Sequence, residues 1–377
     1  MKRINNKWII LPVALLFVFA SCEDDRSSNP VLHNPVKFVL NTPAYAIGAV
    51  YDLEKASHIE LTCSQPDYGF TAATVYSVQV SLNGDFTAEG NSVVLPTTYN
   101  TAKMQVDASE LAVAQTTLAL AGGKAESDFP LVSRLDIRLK ATLTNGAGEI
   151  YSNPVTLEQV RTVFALSPVV LPSTMYVAGS GIGEWDWANS IEMIPTWNNN
   201  GTFWHILYCE AGAEMKFNIE KAWDGVEFGS SATLIDNANA GLGGDGNLQV
   251  THAGWYLAVV RSTVEGREIK YSISFEKPDV YLIGGTGYNG EWSVLEQNLF
   301  TVPDGRDGYF VSPPFSSTNE VRICTVIEGE DWWHSEFIVL QDGVISYRGT
   351  GDDQERYTQS AGKRVYLNFM TEKGYYE

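Results

Sequence analysis

Leu135-Asp136-Ile137-Arg138-Leu139-Lys140-Ala141-Thr142-Leu143 alternates apolar and polar residues without a break. A strand reverses its side chains at every residue, so this run buries one face and wets the other. One-sided burial is the habit of antiparallel sheets. The pattern spreads outward in both directions. Val78, Val80 and Leu82 alternate with Ser77, Gln79 and Ser81. Ile269, Tyr271, Ile273 and Phe275 alternate with Lys270, Ser272 and Ser274, and Val365, Leu367 and Phe369 repeat the pattern near the end. Asn83-Gly84, Asn145-Gly146, Asn200-Gly201, Asp224-Gly225, Asn289-Gly290 and Asp342-Gly343 supply turn dipeptides between the runs. One segment departs from the rule. Asp107-Ala108-Ser109-Glu110 is a capping-box pattern, Leu111, Ala114 and Leu118 follow at helical spacing, and Gly122-Gly123 stops the run. The fold class predicted is all-β, built from β-sandwich modules.

Two parts of the chain read as copies. Met175-Tyr176-Val177-Ala178-Gly179 matches Val280-Tyr281-Leu282-Ile283-Gly284, and Glu184-Trp185 matches Glu291-Trp292. Glu214 to Ile219 matches Glu320 to Thr325, and Ala253-Gly254 matches Ala361-Gly362. An offset of about 105 residues is too long for a solenoid repeat and right for a tandem domain. Leu166 to Ser173, with Pro168 and Pro172, reads as a stiff link. The expected division is a first module over 35–165 and two sister modules over 172–277 and 278–377.

The chain has 377 residues and a formal net charge of -20. No basic surface is available to displace counterions from phosphates, so nucleic acid is excluded as a partner. Lys2, Arg3 and Lys7 precede an apolar run from Trp8 to Ala20, which reads as a signal peptide over 1–21. Small residues stand just before Cys22, as in a bacterial lipobox, so Cys22 is the expected lipidation site. Glu23-Asp24-Asp25 follows, and residues up to Asn34 make a polar tether. Cys63, Cys209 and Cys324 are too far apart for a disulfide framework or a zinc site. Cys63 and Cys209 read as small core hydrophobes, and Cys324 falls out of phase with Val321 and Ile323. No metal or cofactor is implied.

Aromatic residues fall at loop positions in both copies: Trp185, Trp187, Trp197 and Trp223, then Trp292, Trp332 and Trp333. Any one of them could cap its own sandwich. The pairs Trp185/Trp223 and Trp292/Trp332 recur at nearly the same spacing, which points to a ligand platform. A cation recurs beside them: Lys216, together with Asn218, alternates outward against Met215, Phe217 and Ile219, and Arg322 takes the place of Lys216 in the second copy. Gly-rich loops further on bring Asn247 in one copy and Arg348 and Asp353 in the other. These loops miss the EF-hand spacing and carry too few oxygens to hold calcium. Rings, a cation and amides suit a sugar, which has an apolar C–H face and a rim of hydroxyls. Covering on the order of 100 Å² per ring is worth at most ~2.5 kcal/mol. Ordering the ligand takes back much of that, so single-site affinity is expected between about mM and tens of µM.

The lipobox, the strand-rich first module and the tandem tryptophan-bearing modules together resemble the SusE/SusF family. Phe38 to Pro43 and Ser64 to Ala73 resemble the SusE N-terminal domain in particular. The resemblance implies an immunoglobulin-like first module, then two carbohydrate-binding modules, in a non-catalytic outer-membrane lipoprotein exposed at the cell surface. It implies starch or a related α-glucan as ligand, with another polysaccharide as the alternative because SusE-like proteins accompany transport systems for many, and outer-membrane glycan transporter proteins as partners. It assigns the glycan to Trp185, Lys216, Trp223 and Asn247 in one module and to Trp292, Arg322, Trp332, Arg348 and Asp353 in the other.

A glycoside hydrolase is the rival. It needs two facing carboxylates in a cleft. Glu184, Asp186, Glu291 and Asp331 lie near the tryptophans, but an acidic chain offers that by chance. A motif that recurs in both copies fits two equal binding sites better than one active site. A protein-binding adhesin is the third reading. Its flat platform would not need the repeated cation and amide.

Overall fold

The computed structural model describes residues 31–198 and 200–377. The leader, Cys22 and the acidic run after it lie outside the described residues. The chain forms two compact units that part between Ser167 and Pro168.

The first unit runs β1 (Tyr51–Asp52), β2 (His58–Thr62), β3 (Thr74–Ser81), β4 (Ser92–Tyr99), β5 (Lys103–Asp107), α1 (Ala108–Ala121), β6 (Leu131–Leu143), β7 (Ile150–Tyr151) and β8 (Val155–Thr162). One sheet has the order β1-β8-β6-β3-β4, with β7 paired to β6, and β2 and β5 form a two-stranded ribbon. The alternating stretch quoted first is most of β6. Its apolar side, Leu135, Ile137, Leu139 and Ala141, shares one core with Ile59 and Leu61 of β2, Met104 and Val106 of β5, and Leu111 and Leu118 of α1. Asp107 caps α1 by accepting from the Ser109 amide at 2.7 Å. The reciprocal half of the capping box is not made: Glu110 turns to the Thr97 hydroxyl and amide on β4 and ties the helix to the sheet instead.

The second unit holds both sister modules. The middle module comprises β9 (Tyr176–Gly179), β10 (Ile191–Glu192), β11 (Ile194–Pro195), β12 (Thr202–Cys209), β13 (Glu214–Asn218), β14 (Thr233–Asp236), β15 (Leu242–Gly243), β16 (Leu248–Val250), β17 (Gly254–Glu265) and β18 (Glu268–Glu276). Its two sheets have the orders β10-β9-β13-β16-β15 and β11-β12-β17-β18-β14. The last module comprises β19 (Val280–Ile283), β20 (Phe310–Val311), β21 (Asn319–Glu320), β22 (Arg322–Thr325), β23 (Glu336–Val339), β24 (Ile345–Tyr347), β25 (Thr358–Gln359), β26 (Val365–Asn368) and β27 (Lys373–Tyr376). Its sheets are β19-β22-β23-β24, β20-β26-β27 and the pair β21-β25. The duplication holds in the backbone pairing. Lys216 on β13 stands opposite Ala178 on β9, and Arg322 on β22 stands opposite Ile283 on β19.

The sister modules are not beads on a string. β12 and β17 are buried on both faces. Phe203, Leu207, Tyr256, Ala258 and Val260 point into the middle module's own core. Trp204, Ile206, Trp255, Leu257 and Val259 point the other way, into a core shared with Phe310, Phe337, Leu367 and Phe369 of the last module. The Trp255 and Phe310 rings meet edge to face at 5.1 Å. His205 Nε2 reaches Glu372 Oε1 across the same boundary at 2.9 Å.

Cys63, Cys209 and Cys324 are free thiols and all buried. Burial pushes Cys63 up to about 11 and Cys209 up to about 12. Cys324, out of phase in the sequence, is fully buried as well, opposite the buried Glu336 on the neighbouring strand.

Candidate functional site

Each expected indole pair is assembled. In the middle module Trp185 and Trp223 stack with ring centroids 6.3 Å apart and planes 27° apart. In the last module Trp292 and Trp332 lie 6.2 Å apart with planes at 37°. Trp223 and Trp292 are 54% and 59% exposed, well beyond what a core ring would show. The remaining loop tryptophans separate into supports. Trp187 is 3% exposed and sits edge-on behind Trp223 at 5.3 Å. Trp333 turns away from Trp332 and meets Trp197 of the middle module at 4.6 Å.

Short local devices hold the rings. Trp185 lies in the connection from β9 to β10, where Glu184 and Trp185 both take left-handed backbone angles, φ 50° and 65°. Such angles cost a residue with a Cβ about 1–3 kcal/mol, so the surrounding structure must impose them. The Glu184 carboxylate accepts from the Gly181 amide at 2.9 Å and closes the turn. Asp186 accepts from the Ala188 amide at 3.0 Å and starts the single helical turn that carries Trp187. Asn218, expected to point outward with Lys216, is buried instead. Its amide donates to Ala222 O at 2.8 Å and to Asp224 Oδ1 at 3.1 Å, which folds the loop that presents Trp223.

The cations differ in how they are held. Lys216 faces outward, with Glu227 Oε1 at 3.8 Å. Arg322 lies over the Trp292 ring at 5.1 Å. It also donates to Glu336, whose carboxylate is wholly buried and shared with Arg348 at 3.4 Å and Arg356 at 2.7 Å. A buried carboxylate costs several kcal/mol unless such partners surround it. Asp353 pairs with Arg356 at 2.7 Å, and that guanidinium holds the Asp353 carboxyl below the usual carboxylate range.

A groove of about 570 Å³ opens beside Trp292, lined by Arg322, Asn289, Asn319, Glu320 and Ser317 among others. Arg322 therefore belongs to the groove directly. Asp353 joins it at one remove, at 3.6 Å from Arg322. Arg348 shares Glu336 and Asp353 with Arg322 and sets its guanidinium over Trp333 at 4.8 Å. Asn247 adjoins the Lys216 strand and donates to Glu214 at 3.1 Å. Asn289 and Asn319 escaped the sequence reading although Asn289 stands in a noted turn dipeptide. Glu336 and Arg356 carried no local signal, since their pairing is made only by the fold.

The fold and these surfaces define a class: a tandem β-sandwich protein that presents paired indoles with a cation at one register position. The family model described as SusF/SusE starch specific CBMs matches residues 174–272 and 279–375. A second model, SusE outer membrane protein, matches residues 24–140. The chain belongs to the SusF/SusE family, which places it at the outer membrane. It is 40% identical over 212 residues to outer membrane protein SusF of Bacteroides thetaiotaomicron, a match covering 52% of this chain and 42% of that protein. The crystal structure of SusF from the same organism resembles it in fold, with a TM-score of 0.50 and 23% identity over 90% of this chain and 100% of that one.

Proposed function

We propose that this chain holds starch or a related α-glucan at the cell surface without cutting it. The observation that carries the reading is the repeated constellation: two open indole pairs, each beside a cation set at the same place on its sheet. Planes inclined by 27° and 37° suit a curved chain, which meets successive rings at successive angles. Trp185, Trp223 and Lys216, flanked by Asn247, form the middle site. Trp292, Trp332 and Arg322, flanked by Asp353, form the last; Arg348 steadies the ring behind them. Cys22 carries the lipid that ties the chain to the membrane, and a glycan transporter takes the polymer onward. Two weak sites on one chain, multiplied over a surface, retain a polymer by avidity.

Calorimetry with maltoheptaose tests this. Trp185→Ala with Trp223→Ala should halve the stoichiometry, and adding Trp292→Ala with Trp332→Ala should abolish the heat. Full stoichiometry after all four changes would refute the assignment. Release of reducing sugar from starch by the purified chain would favour the hydrolase.

A further inference from the structure

Each indole pair is braced by the other module. Arg306, in the last module, donates from Nη2 to the Gly181 carbonyl at 2.7 Å, in the very turn that Glu184 closes before Trp185. Arg306 is itself fixed at the backbone, where the Asn368 side-chain amide donates to its carbonyl at 2.8 Å. Trp255 of the middle module secures the neighbouring residue by donating from Nε1 to Gly305 O at 3.2 Å. The converse brace holds the turn that presents Trp332. Asn200 of the middle module donates to Glu330 at 2.8 Å, and the Trp197 amide donates to His334 O at 3.1 Å. Arg261 donates to Glu328 O at 2.8 Å.

We infer that the two sites are reciprocally positioned, Arg306 acting as a positioning residue for the middle site and Asn200 with Trp197 for the last. The physical reason is economy of order. Both turns lie on the surface and connect strands, so their own sheets fix them only at the ends. A side chain anchored in a different module removes the freedom that remains, and a platform already ordered loses less on binding. This inference rests on the reading of the indole pairs as α-glucan sites.

The test uses the full chain and maltoheptaose calorimetry in two backgrounds. With Trp292 and Trp332 changed to Ala, only the middle site reports. Arg306→Ala should there weaken binding about five-fold, the scale of one hydrogen bond, and Arg306→Lys should recover part of it. With Trp185 and Trp223 changed to Ala, only the last site reports. Arg306→Ala should leave that site unchanged, whereas Asn200→Ala should weaken it by a similar factor. The crossed pattern is what a general loss of stability would not produce. Equal weakening of both sites by Arg306→Ala, or weakening of neither, overturns the inference. If the tryptophan changes themselves leave binding intact, the platform reading has failed and takes this inference with it.

Discussion

At the scale of single residues, the site is a problem in keeping charges where they are useful. Glu336 has no exposure, and Arg322, Arg348 and Arg356 converge on it. Asp353 closes the cluster from the solvent side. Its depressed folded value fixes the sign of a pH effect. Stability from this pairing is full above about pH 4, the unfolded value, and is lost as pH falls through the lower folded value. Asp353→Asn removes the charge at every pH. The gap in melting temperature between the unmodified chain and Asp353→Asn should therefore stand open at neutral pH and close on acidification. A gap that stays constant down to pH 2 would contradict the pairing. The side chain is 59% exposed, so solvent screening keeps the gap small. Residue identity alone made Arg322 and Lys216 legible, because alternation told which way each pointed. It could not reveal Glu336, whose partners come from β22 and from the connection between β24 and β25, and it misplaced Asn218, whose polar side chain is drawn inward by the loop it folds.

At the scale of elements, alternation and turn dipeptides were reliable guides. Each of the six Asn-Gly and Asp-Gly turns puts its glycine at positive φ, between 66° and 85°. The helix was legible from its cap and stop, with Gly123 at φ 87° ending it. The connection after β9 was less so. The sister connection after β19 confines its left-handed positions to Gly284, Asn289 and Gly290, types that accept them, whereas this one adds Glu184 and Trp185 to Gly181 and Gly183. The strain should be measurable. Trp185→Gly should melt at a higher temperature than Trp185→Ala, by the equivalent of about 1 kcal/mol, although both lose the ring. Equal melting temperatures would mean that the turn is relaxed in the alanine variant.

At the scale of the whole molecule, the sequence copies were legible and their fusion was not. Repeats locate modules by likeness, and an interface between unlike faces leaves no repeat. A signal was present nonetheless: Phe203 to Leu207 and Trp255 to Val260 are nearly continuous apolar runs, the mark of a strand covered on both sides. Because one core crosses the boundary, the two modules should unfold together. Scanning calorimetry of the full chain should show two transitions, one for each compact unit, and three would contradict the shared core. Trp204→Ala should destabilise the second unit by about 3–5 kcal/mol, as for other large buried rings. The shared core also bears on biogenesis. A polypeptide emerging amino end first completes the middle sandwich while Trp204, Ile206, Trp255, Leu257 and Val259 still look out on water. That sticky face waits for roughly a hundred more residues to be delivered, and a nascent chain stalled in that interval invites aggregation. Export therefore passes through a half-finished sandwich whose apolar face stays bare until its neighbour arrives.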